Sequence, residues 1–320
     1  MVRRLLAHAV ALLAGIALGG GLLWAATPGA LPRSLPRSSL AVWTGGRWTT
    51  WWRSDRAPAT WTPSALAGAV RWRAGAPGVE WGELRLAGDG EAWRLRVIVA
   101  RIDPRRVRLS LVAARDGARG TWTVDSAGAH AALALNAGQF GGATPWGWLV
   151  HAGREYRPPG RGPLAPAVVI DTAGRVRLVP ADALDDLRDS LRAAPGSVRE
   201  AFQSYPALLA RGAVPEPLRA PGRGVDVAHR DARLALGTLA DGRVLVALTR
   251  FDALDGALDA VPFGPTVPEM AAVMGALGAR DAVLLDGGIS AQLLVRDAQG
   301  TARRWPGLRR VPLGLVGTGG

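Results

Sequence analysis

Cysteine is absent from the 320 residues, which excludes disulfides and a cysteine nucleophile while saying little about compartment. Lysine is absent too: all 39 basic residues are arginine, and asparagine occurs once, at Asn136. With 42 glycines alongside, this marks a strong compositional bias, so an arginine is weaker evidence for function here than in an ordinary chain. No H-E-x-x-H zinc pattern, G-x-S-x-G elbow or phosphate-binding P-loop occurs, and His130, His151 and His229 stand isolated along the sequence. These absences weigh against the familiar metal-hydrolase and serine-hydrolase classes. There is no internal repeat.

What is present is enough apolar material, 48% of residues, to bury one large core or two modest ones, and the 20% charged fraction argues against long disorder. A formal charge of +13 attracts polyanions, but the arginines are scattered through apparent strands instead of clustering among exposed aromatics. No nucleic-acid partner is expected. An anionic envelope or an acidic polymer suits a protein that leaves the cytoplasm, and the N-terminus suggests that it does. Arg3 and Arg4 precede an uncharged run over residues 5–26, about the length that crosses a bilayer. Residues 1–27 therefore read as a signal peptide or a transmembrane anchor. Poor cleavage signals and the positive-inside rule favour an uncleaved anchor, with an extracytoplasmic, membrane-anchored or secreted domain beyond it.

Residues 28–77 are rich in Pro, Ser, Thr and Trp without clear periodicity and read as a linker. Its tryptophans suit either a sugar-stacking or interfacial surface or packing against the neighbouring domain. The folded domain is expected over 78–320. Alternating strands are predicted at 93–102 and 107–113, joined by Asp103-Pro104, with an apolar strand at 131–135 running into Asn136. Hairpins follow at 166–179 and, around Ala240-Asp241-Gly242, at 232–249. Helices are predicted at 181–193 and 267–277, a buried strand at 281–285, and a last hairpin over 291–305. Strands outnumber helices and many neighbours are hairpins, so the expected class is α+β, with mixed or antiparallel sheets and packed helices.

Asp286 follows the apolar strand and precedes Gly287-Gly288, a placement that holds a carboxylate rigidly while the glycines let a ligand approach the backbone. An Asx-turn reads the same way. Ser290 adds a hydroxyl to the same pocket or starts the next strand. Asn136 also ends an apolar strand; its amide suits sugar hydroxyls or a phosphate oxygen, or else a left-handed backbone position. Thr266 and Glu269 have capping-box spacing at the start of a helix, whose N-terminus is also suited to an anion. Arg233 is placed to bind a phosphate bidentately, or to lie on a solvated strand face.

In this order the segments resemble the phosphodiester glycosidase family over residues 78–318. The resemblance is carried by RVIVARIDPRRVRLSL (96–111), NAGQF (136–140), GWLVHAG (147–153), FQSYPALLARG (202–212), RLALG (233–237) and GPTVPEMAAVMGALGARDAVLLDGGIS (264–290). It implies hydrolysis of a sugar 1-phosphodiester, with Asp286 and Glu269 as catalytic carboxylates. It implies substrate binding by Asn136, Arg233, Thr266, Gly287, Gly288 and Ser290, no metal ligands and no cofactor, with a divalent cation left open. The substrate would be a sugar phosphate or phosphodiester-linked glycan, and the membrane a partner through the N-terminal segment. Departures fall at Leu234, Leu284, Ile289, Gln139 and Pro262, where the family favours threonine, asparagine, glycine, an aromatic and serine. They leave open a non-catalytic protein that binds or assembles exopolysaccharide or cell-wall polymer, and a phosphodiesterase that breaks the P–O bond.

Overall fold

The computed structural model describes residues 38–319, apart from 62–65, 114–121, 194–195 and 221. The expected signal or anchor at 1–27 lies outside the described residues; among those described, no helix is long and apolar enough to cross a membrane.

A hairpin, β1 (Ser39–Thr44) and β2 (Arg47–Arg53), comes first, then a short β3 (Arg73–Ala74) and the long pair β4 (Val79–Gly88) and β5 (Trp93–Ile102). Next are β6 (Val107–Ala113), β7 (Ala131–Asn136), the small pair β8 (Phe140–Gly141) and β9 (Thr144–Pro145), and the hairpin β10 (Leu149–His151) and β11 (Arg154–Arg157). β12 (Ala167–Asp171), β13 (Val176–Val179), helix α1 (Leu184–Ala193), β14 (Val198–Gln203) and β15 (Ala207–Leu209) follow. The chain then forms β16 (Leu234–Leu239), β17 (Val244–Phe251), helix α2 (Val267–Ala276) and β18 (Ala279–Leu285). It closes with β19 (Leu293–Arg296), β20 (Ala302–Trp305) and β21 (Leu313–Gly319).

A nine-stranded sheet runs β15-β18-β16-β17-β5-β4-β1-β2, with β3 on β4; two five-stranded sheets run β11-β10-β14-β12-β13 and β20-β19-β7-β21-β6. The central strands of the large sheet are buried on both faces, and their two-residue period sorts side chains into two cores. On β5, Leu95, Val97 and Val99 face one core while Ile98, Ala100 and Ile102 face the other. β17 divides the same way, Leu245 and Ala247 against Val244, Val246 and Leu248. The first core is closed by α2, which is apolar almost all round and accordingly buried. The second lies between the large sheet and both smaller ones.

One sequence expectation is refined here and another is corrected. β5 and β6 have the predicted bounds, but they belong to different sheets: the turn closed by Arg106 N–H on the Asp103 carbonyl, 3.0 Å, hands the chain from one sheet to the other. The stretch 28–77 is not wholly a linker, because its described part supplies β1 and β2 at the end of the large sheet. Alternation was hidden there by a register shift between Leu40 and Ala41, and the Gly45-Gly46 turn that joins the two strands is itself a hairpin signal. Most of its tryptophans pack inward: Trp52 is buried, and Trp61 lies edge-on to Trp51 at 6.0 Å and so close to Gly275 of α2 that a Cβ there would meet its ring at 2.3 Å. Trp43 stays 40% exposed, edge-on to Trp48.

Candidate active site

The end of β7, the end of β18, the approach to β16 and the start of α2 converge at one end of the large sheet. Asn136 stitches this end together. Its Nδ2 donates to the Asp286 carbonyl at 2.9 Å and its Oδ1 accepts from Gln292 N–H at 3.0 Å, and it is fully buried. The amide bonds to the backbone on either side of the Asp286 loop. Asn136→Ala leaves a buried carbonyl and a buried N–H unpaired, at about 1–3 kcal/mol each. Thermal melting should fall accordingly, and an unchanged melting temperature would contradict this clamp.

Asp286 is half-buried, with its backbone N–H donated to Gly138 O at 2.9 Å. Burial pushes its carboxyl above the ordinary 3.8; the Ser290 hydroxyl, hydrogen-bonded to it, and Arg309 pull it back, and the Asp231 charge pushes it further up. Asp231 is raised as well, first by burial, with Arg233, the Ala232 N–H and His229 opposing. Gly287 lies against the Ala232 backbone and Gly288 against this second aspartate. A Cβ on Gly287 would sit 2.5 Å from the Ala232 carbonyl, and one on Gly288, whose φ is +56°, would sit 2.8 Å from Asp231 Oδ2. The result is two carboxylates of raised proton affinity, electrostatically coupled across a glycine turn. Burial raises both, and the charge of Asp231 adds to the rise at Asp286.

The cation beside them is Arg233. Its Nε donates to Pro265 O at 3.0 Å and one terminal amino group to His229 O at 2.7 Å. Burial lowers its pKa and Asp231 opposes that. The other terminal amino group, Nη1, has no hydrogen-bonded protein partner among the described residues.

The other sequence candidates have structural duties. Thr266 caps α2 and forms the full capping box with Glu269. Glu269 is wholly buried and also takes a two-pronged bond from Arg230, at 2.7 and 2.9 Å. Both Glu269 oxygens therefore accept bonds within the fold, and the Thr266 hydroxyl accepts the Glu269 N–H. The Gly288 amide is donated to Ala232 O at 2.7 Å, which takes it from substrate. Ser290 is buried, with its hydroxyl at the Asp286 carboxyl. Leu234 and Leu284, two of the departures, lie in the two cores, whereas Ile289 is exposed beside the glycines. Among the described residues no group of three or more histidine, aspartate or glutamate side chains is arranged to hold a metal ion.

Asp231 and His229 were missed from the sequence, although a signal existed. In an extended run, residues two apart share a face, and His229, Asp231 and Arg233 are spaced so, with His229 Nε2 3.8 Å from Asp231 Oδ2. Arg230, on the alternate face, goes to Glu269 instead.

A family model of phosphodiester glycosidases matches residues 129–316. No curated protein sequence matches the chain. Among solved structures, the catalytic domain of zebrafish N-acetylglucosamine-1-phosphodiester alpha-N-acetylglucosaminidase, auto-inhibited by its pro-peptide, is similar at a TM-score of 0.56 and 18% identity, covering 77% of this chain and 86% of that one. A hypothetical protein from Synechocystis is similar at a TM-score of 0.50 and 15% identity, covering 88% of this chain and 68% of that one. At these identities the likeness is one of fold.

Proposed function

Because the chain belongs to the phosphodiester glycosidase family, we propose that it is a hydrolase cleaving the anomeric C–O bond of a sugar 1-phosphodiester in the cell envelope. The observation that carries this reading is the coupled pair Asp286 and Asp231, both raised by burial and both flanked by guanidinium groups. A phosphate ester is a good anomeric leaving group, so little acid assistance is needed, and one well-held carboxylate suffices to stabilise positive charge at the anomeric carbon or to activate water. Asp286 takes that role, held by Ser290 on its side chain and Asn136 on its carbonyl. Asp231, whose proton affinity burial raises, lies beside it on the Arg233 side, and the Nη1 amino group of Arg233 binds a phosphate oxygen. Water adds its oxygen to the anomeric carbon, and the phosphate monoester departs with the bonding electron pair. Envelope location is supported by Arg3 and Arg4 ahead of the uncharged run at 5–26.

The test is release of free sugar from a panel of sugar 1-phosphodiesters by the full chain, run in isotope-labelled water. Label in the sugar is expected. Label in the phosphate would mean P–O cleavage, and no release across the panel would favour a protein that only binds such glycans.

A further inference from the structure

A second concave site lies at the other end of the same sheet. β17 runs from Val244 to Phe251, with the candidate active site near its end, so at about 3.4 Å per residue its start is on the order of 20 Å away. There, between the start of β4, the end of β5 and residues 72–78, opens a pocket of about 490 Å³. Arg73, Arg101, Arg106 and Arg243 line it, with Glu80 and Asp103.

The carboxylates are already engaged. Glu80 accepts from Arg243 at 3.0 Å, Asp241 just outside holds the same arginine at 2.8 Å, and Asp103 accepts the Arg105 backbone N–H at 3.0 Å. The side chains of Arg73, Arg101 and Arg106 have no hydrogen-bonded carboxylate among the described residues. Arg101 is held in place by stacking, with its guanidinium carbon 3.7 Å from the Trp72 ring centroid, and its Nε is sealed from solvent without a partner. Arg73 lies over Trp81 at 4.9 Å. Stacked, pre-oriented guanidinium groups lose little freedom on binding and match phosphate oxygens better than a mobile ammonium does.

We propose that this pocket is a second binding site, for a multiply charged phosphate anion held by Arg101, Arg106 and Arg73. Burial, and after it the charge of Arg243, keeps the pKa of Arg101 below its ordinary value, a penalty that an incoming anion relieves. The site does not rest on the glycosidase reading, since it stands at the far end of the sheet and needs no turnover.

Calorimetric titration of the full chain with inorganic pyrophosphate tests it. The wild type is expected to bind, Arg106→Gln and Arg101→Gln to weaken binding about tenfold each, and Arg233→Gln, at the other site, to leave this event in place. Arg106 is exposed, so its variant keeps the test valid if Arg101→Gln fails to fold. Failure of the wild type to bind, wild-type affinity in both the Arg101→Gln and Arg106→Gln variants, or loss in Arg233→Gln alone would overturn the proposal.

Discussion

Asp286→Asn lowers turnover of a sugar 1-phosphodiester by about 10²–10⁴-fold, the usual contribution of a positioned acid or base, and at the same time raises the melting temperature at neutral pH. The second half follows from burial. Asp286 has a folded pKa above its unfolded value, so the native state binds the proton more tightly than the unfolded chain. Stability from this group is fully present below the ordinary 3.8 and is lost as pH rises through the folded value. An amide of the same shape removes that loss, so the gain in melting temperature appears above the folded pKa and disappears in acid. Parallel melting and kinetic curves for Asp286→Asn and Asp231→Asn check both halves. A loss of activity with a fall in stability would mean that Asp286 is held by the fold for structural reasons. Full activity in Asp286→Asn alongside loss in Asp231→Asn would exchange the two roles.

Arg230→Ala costs about 3 kcal/mol, near the lower end of the range for breaking a buried ion pair, because Arg230 keeps 22% of its side chain exposed while Glu269 is wholly buried. For a domain of this size that is roughly a 5 °C fall in melting temperature. The loss exceeds one contact. The guanidinium holds Glu269 by both oxygens, reaches Asp89 at 3.2 Å and lies 4.5 Å over Trp93, so its removal leaves a charged capping box without its counter-ion. Chemical denaturation read by circular dichroism gives the figure. Glu269→Gln separates structure from chemistry: stability drops while the turnover of the folded fraction persists, and abolished turnover in a fully folded Glu269→Gln would restore Glu269 to the reaction.

Much of the architecture could be read from local pattern. The strands at 93–102 and 107–113 and the capped helix at 267–276 follow from two-residue alternation and from Thr266 with Glu269, signals contained in a short window. Sheet membership could not be read this way. Whether β6 returns beside β5 or crosses to another sheet depends on β21, some two hundred residues further on, and nothing near Asp103 records it. The site divides similarly. Asp286 and Ser290 are legible because one strand end and one glycine turn place them. The bonds of Asn136 and Glu269 within the fold are not legible, because a polar group at a strand or helix end looks the same from sequence whether it faces ligand or backbone. What decides the matter is a partner far along the chain, Gln292 for one and Arg230 for the other.

The pairing of β5 with β17 has a consequence for dissecting this protein. The family is recognised from residue 129 onward, yet β17 is paired along its whole length, from Val244 opposite Ile102 to Phe251 opposite Leu95, with a strand that lies before that point. A fragment cut at the recognised boundary would turn the middle of the large sheet into a bare, apolar edge, the kind that recruits other chains. It would also remove Asp89 and Trp93, which brace the loop carrying Asp231 through Arg230. The shortest version of this protein that folds cooperatively is therefore longer than the part by which its kinship is detected, and truncations designed from kinship alone should aggregate before they can be assayed.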